Sequence, residues 1–128
     1  MGSEMCIRDR FRIQSDAIRK AADESSCVFV GRCADYVLRD NPNMVTVFIT
    51  ADLDDRISNV CKRRNCSAEE ARKLIEDKES TRSSYYNYYS GKTWGASASY
   101  DLCVNASRLG AEGTKEFIAD FIRRRMKR

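Results

Sequence analysis

Apolar positions along the chain fall into two rhythms. Phe11, Ala17, Ile18 and Ala21 recur at near-helical spacing, and the pattern then gives way to the turn Asp23-Glu24-Ser25-Ser26 and the apolar run Cys27 to Val30. This predicts helix, turn, strand. The run Val45 to Ile49 is β-branched and aromatic, follows the turn signal Asn41-Pro42-Asn43, and predicts a second buried strand. Asp52 can then cap a helix with Leu53, Ile57, Val60 and Cys61 along one stripe. Ser67-Ala68-Glu69-Glu70 has the form of a capping box, with Ala71, Leu74 and Ile75 following on one face. A third strand is expected over Tyr100 to Asn105, and a last helix carries Phe117, Ile118, Phe121 and Ile122. Short continuous apolar strands alternating with helices predict a parallel sheet covered on both faces, hence a layered α/β fold.

The decapeptide Met1 to Arg10, MGSEMCIRDR, shows no helical or strand period. It back-translates to a string that resembles a transposase adapter of short-read sequencing libraries, opened from a gtg start. It is therefore set apart from the domain, which is expected to occupy residues 11–128 and to be the C-terminal part of a longer protein.

Composition narrows the class. The chain has 128 residues, 42% of them hydrophobic and 33% charged, which suits one globular domain and excludes collagen-like or disordered chains. Its net charge of +4 is smaller than the five cations Arg123, Arg124, Arg125, Lys127 and Arg128 of the C-terminal tail, which leaves −1 for the rest. The basicity is a tail, and no nucleic-acid partner is expected from it. No run approaches the ~20 apolar residues of a membrane span, so no membrane partner is expected and the setting is expected to be cytoplasmic. Six cysteines without a C-x-x-C pair, and no His at all, argue against a zinc or redox centre, and no metal site is expected. Cys27, Cys61 and Cys103 sit among apolar neighbours and read as reduced, buried thiols.

In parallel sheets, ligands bind beyond the carboxyl ends of the strands. A cation follows each predicted strand: Arg32 within Gly31-Arg32-Cys33-Ala34-Asp35, Arg56 within Asp52 to Arg56 with Lys62-Arg63-Arg64 beyond it, and Arg108 after Asn105. Such placement suits phosphoryl chemistry, where the protein mainly positions and neutralises charged oxygens. The alternative for any single Arg is a solvated helix face. The segment from Glu79 to Gly95 holds four of the six Tyr and the only Trp. Its composition leaves three roles open: stacking on bases, packing a helix end on the core, or a mobile lid.

Four stretches resemble the cytidylate kinase-like proteins of the P-loop nucleoside monophosphate kinase superfamily: VFVGRCADYVL at Val28 to Leu38, VFITADLDDRI at Val47 to Ile57, RSSYYNYYSGKTWG at Arg82 to Gly95, and YDLCVNASRLG at Tyr100 to Gly110. They run in the family's order and spacing, and the resemblance as a whole covers essentially Phe11 to the C-terminus. The resemblance implies a three-layer parallel sheet of P-loop kinase type, and a parent enzyme that transfers a phosphoryl group from ATP, with Mg²⁺, to a nucleoside monophosphate of the CMP type. It places Gly31, Arg32 and Asp35 at the acceptor pocket, although Cys33 stands where cytidylate kinases proper carry an Asp after the Arg. The family's Asp-x-x-Arg element for ribose and phosphate corresponds to Glu79-Ser80-Thr81-Arg82, with Glu in place of Asp. Arg56 and Arg63, together with Arg82, correspond to arginines that stabilise the transferred group. No G-x-x-x-x-G-K-[ST] loop occurs in the 128 residues, so no cofactor-binding residue is assigned, and the fold is expected to be incomplete, without its phosphate-loop strand. The chain alone is expected to be inactive. A non-catalytic nucleotide-binding or regulatory module, or a nucleic-acid-binding protein, are the alternatives, and the oligomeric state is not legible.

Overall fold

The computed structural model describes residues 3–127, with side chains over 9–127. The chain divides into two compact units, Met1–Met44 and Val45–Arg128.

In the first unit, α1 spans Ser3–Glu24 and a short α2 spans Ala34–Val37. Helix α1 thus begins inside the decapeptide for which no period was expected. Glu4, Met5, Arg8 and Arg10 are all good helix formers, and no Gly or Pro interrupts the run after Gly2. Ile18 of α1 packs with Ala34 and Val37 of α2, flanked by Phe11, Phe29 and Leu38. Buried Ser15 is satisfied within its own helix, its Oγ donating to the Phe11 carbonyl at 2.8 Å.

The predicted strand Cys27 to Val30 is not one. The stretch pairs with no strand among the described residues, and Val28 and Val30 are 93% and 88% exposed. An apolar run becomes a strand only where a neighbouring backbone takes its hydrogen bonds. The apolar setting read for Cys27 fails with it, because Cys27 is exposed; Cys103 is exposed too, Cys61 is half-buried, and among the described side chains the buried thiol is Cys33.

In the second unit, β1 (Val47–Thr50) and β2 (Leu102–Asn105) form a two-stranded parallel sheet with Val47 opposite Leu102 and Thr50 opposite Asn105. Strand β2 lies within its predicted run, and β1 begins inside its own and extends one residue past it, to Thr50. Asp101 closes the start of the sheet: its carboxylate accepts from Thr46 N at 2.9 Å while its own N–H donates to Thr46 Oγ1 at 2.8 Å. The crossover between the strands contains α3 (Leu53–Arg64) and α4 (Ala68–Ser90), and α5 (Ala106–Met126) follows β2. The unit is α/β, with a small parallel sheet among mostly helices. Gly110, at φ 75° and ψ 174°, breaks α5 near its start, a conformation open to glycine and strained for other residues.

The capping box appears as predicted. Glu70 N donates to Ser67 Oγ at 3.2 Å, and Ser67 N donates back to Glu70 Oε1 at 3.2 Å. Behind it, Ala71 and Ile75 are buried on one face of α4. Ser67→Ala should cost about 1 kcal/mol in urea unfolding at neutral pH. The hydrogen bonds from the backbone and hydroxyl of Ser67 hold the Glu70 carboxyl below its ordinary value. A folded-state value below the unfolded one stabilises at neutral pH, and that contribution fades as pH falls through the lowered value. The Ser67→Ala deficit should therefore shrink in strong acid, and a deficit that is constant from neutral to acid pH would contradict the box.

Candidate functional site

Parallel pairing brings two strand ends together, and the residues leaving them form a polar cluster. Asp52, directly before α3, has extended backbone, and its carboxylate does not cap the helix as expected. Asp52 Oδ1 instead accepts from Asn105 Nδ2 at 3.0 Å and from Arg108 Nη2 at 3.1 Å, while Asp52 N donates to Ser107 Oγ at 2.8 Å. Asn105 takes the cap role for α5, its Oδ1 accepting from Ser107 N at 2.9 Å. The cluster ties the end of β1 to the end of β2. Arg108 was expected as a cation beyond a strand; its partner Asp52, and Ser107 as the partner of the Asp52 backbone, were missed, because their meeting depends on the Thr50 to Asn105 register.

One turn into α3, Arg56 donates through Nη2 to Glu79 Oε1 on α4 at 2.8 Å, with both side chains about a third exposed. This joins two of the predicted site residues across two helices. Arg82 lies three residues beyond Glu79, hence on the same side of α4, and is exposed. Arg63 is exposed in the last turn of α3, where its charge also suits the helix C-terminus.

Gly31, Arg32 and Asp35 belong to the first unit. Gly31, Arg32 and Cys33 take left-handed conformations in succession, at φ 74°, 61° and 58°, and turn the chain into α2. Arg32 is exposed, and Asp35 accepts from Tyr36 N at 2.8 Å in the first turn of that helix. Two successive non-glycine residues at positive φ are costly and are retained where the surrounding structure enforces them.

The Tyr-rich segment resolves into helix and core. Helix α4 runs through it to Ser90, and Gly91 terminates it at φ 72°. Phe48 of β1 is then surrounded by the rings that follow: Trp94 edge-on at 5.1 Å between centroids, and Tyr100 at 5.0 Å. Tyr86, buried on α4, stacks on Tyr100 at 6.1 Å. Gly95, at φ 80°, lies so close to Phe48 that a Cβ there would sit 3.4 Å from the ring. Packing a helix end on the core is thus the role of Tyr86, Trp94 and Tyr100, whereas Tyr88 is 74% exposed.

A cytidylate kinase-like family model matches residues 1–108. The chain belongs to the cytidylate kinase-like family. It is similar to a cytidylate kinase of Methanopyrus kandleri, at 29% identity over 104 residues, covering 75% of this chain and 54% of that protein. It is also similar to a crystal structure of an uncharacterized protein from Eubacterium ventriosum, with a TM-score of 0.87 at 32% identity, covering 91% of this chain and 66% of that one. The chain thus spans about half the length of the curated relative and just under two thirds of the solved structure's chain.

Use of a donor nucleotide with Mg²⁺ is a property implied by the family. The residues present do not fit the donor phosphates, because the sequence has no glycine-rich phosphate cradle; among the described residues no group of three or more His, Cys, Asp or Glu converges. No helix among the described residues is long and apolar enough to cross a membrane.

Proposed function

We propose that this chain is the acceptor-binding portion of an ATP-dependent nucleoside monophosphate kinase acting on a CMP-type acceptor. The observation that carries the reading is the Arg56–Glu79 pair, which draws together two of the motifs of the cytidylate kinase-like family on adjoining helices. In this reading Arg82 neutralises the acceptor phosphate with charge-assisted hydrogen bonds. Glu79, held by Arg56, keeps its second oxygen for sugar hydroxyls. Arg56 has five N–H donors, so its bond through Nη2 leaves others for a phosphoryl oxygen, and Arg63 supplies a second positive charge. By resemblance Gly31, Arg32 and Asp35 are also acceptor-binding residues, Gly31 by letting backbone approach and Arg32 by its planar fork. The complete fold is a three-layer parallel sheet in which a phosphate-loop strand lies centrally, in a cytoplasmic enzyme that uses ATP and Mg²⁺.

The test is calorimetric titration of the 128-residue chain with CMP, UMP, AMP and GMP. CMP should bind, and Arg82→Ala and Arg32→Ala, measured separately, should each weaken it by about 10- to 150-fold, the loss of roughly 1.5–3 kcal/mol for a hydrogen bond to a charged group. Unchanged affinity in both variants would sink the assignment.

A further inference from the structure

The α3–α4 corner holds two half-buried, free thiols that the proposed reaction does not use. Cys61 lies in the last turn of α3, and Cys66 lies just beyond its end. Asn65 between them is left-handed, at φ 52° and ψ 53°, and its N–H bonds to the Cys61 carbonyl. Cys66 N reaches the same carbonyl at 3.4 Å. A chain that reverses in this way puts the residue before the turn against the residue after it, the contact that closes many helix C-termini. Here both contact residues are cysteines.

We infer that Cys61 and Cys66 form a redox modification site, closing an intramolecular disulfide when the protein meets a low-molecular-weight disulfide such as glutathione disulfide. The inference is independent of the kinase reading. In the first step the Cys61 thiolate attacks one sulfur of glutathione disulfide, forming a mixed disulfide and expelling one glutathione thiolate. In the second, Cys66 loses its proton to solvent, and its thiolate attacks the Cys61 sulfur and expels the second glutathione. Two protein thiols are oxidised and one glutathione disulfide is reduced to two thiols, so electrons and protons balance. The order follows from the surroundings of Cys66. Its thiol is pushed up by desolvation, then by neighbouring Cys61 and by the Glu70 carboxylate, with Arg64 opposing, which makes it the poorer first nucleophile. The bridge fastens the end of α3 to the residue preceding the Ser67 cap of α4, and so fixes the corner next to Arg63.

The full chain is equilibrated in glutathione redox buffers, quenched by alkylation and digested with trypsin. Lys62, Arg63 and Arg64 separate the two cysteines, so the bridge appears as two tryptic peptides joined by it. The Cys61–Cys66 link should dominate over links to exposed Cys27 and Cys103. Its equilibrium constant in the native chain should exceed that of the same chain in concentrated guanidinium by about tenfold or more, since the turn holds the thiols together in advance. Cys66→Ser should abolish the link and leave Cys61 held as its glutathione mixed disulfide, read as a glutathione adduct on the Cys61 peptide. Equal constants in the native and denatured chain, or a native pattern in which Cys27 or Cys103 competes evenly, would overturn the inference.

Discussion

Incubated with ATP, magnesium and CMP, the 128-residue chain should yield no CDP above the uncatalysed background, even where CMP binds. Donor binding in P-loop enzymes depends on backbone N–H groups and a helix N-terminus gathered around the phosphates, and dispersed arginines do not reproduce that cradle. The glycines of this chain after Gly2 are Gly31, Gly91, Gly95, Gly110 and Gly113, and no two of them frame a phosphate loop. Gly91 ends α4, Gly95 lies against Phe48, and Gly110 breaks α5, so these three serve structural turns. The expected loss is the whole rate enhancement, because chemistry of this class is almost entirely positioning and electrostatics around the transferred group. A coupled assay for nucleoside diphosphate, with Mg-ATP thermal stabilisation measured in parallel, reads the result. Robust turnover by the purified chain would reverse the reading and direct the search to Arg56, Arg63 and Arg108 as an unconventional donor site.

The parts of the structure set by neighbours in sequence were readable from the sequence, and those set by distant partners were not. The capping box at Ser67 and Glu70 is a contact between residues three apart, and it forms as its spacing indicates. The apolar runs at β1 and β2 find each other as parallel partners. The equally apolar run Cys27 to Val30 finds none among the described residues, and nothing in its composition distinguishes it from the other two. Asp52 has the residue type and position of a helix cap, yet its carboxylate goes to Asn105 and Arg108, more than fifty residues away. At the site, Arg56 and Glu79 were named from separate motifs. That they pair follows from the packing of α3 on α4, which no spacing within either helix encodes. The aromatic segment shows the same limit. Tyr86 and Tyr88 are two residues apart in one helix, and the first is buried while the second is exposed.

That contrast supplies the second large effect, and it separates packing from binding within one segment. Phe48 contacts Trp94 and Tyr100, and approaches Gly95, so its removal leaves a gap faced by rings with no short side chain able to fill it. Phe48→Ala should destabilise the chain by about 3 kcal/mol, the lower end of the range for buried Phe because this ring is half-buried. Loss of the edge-to-face geometry with Trp94 adds to the lost burial. Tyr88→Ala, by comparison, should fall within about 0.5 kcal/mol of the parent, as substitutions at exposed positions usually do. Urea unfolding followed by Trp94 fluorescence measures both, since the single Trp reports on the Phe48 cluster. If instead Tyr88→Ala matched Phe48→Ala in cost, the exposed ring would belong to the fold rather than to the surface, and the division of this segment into a packed half and a solvent-facing half would fail.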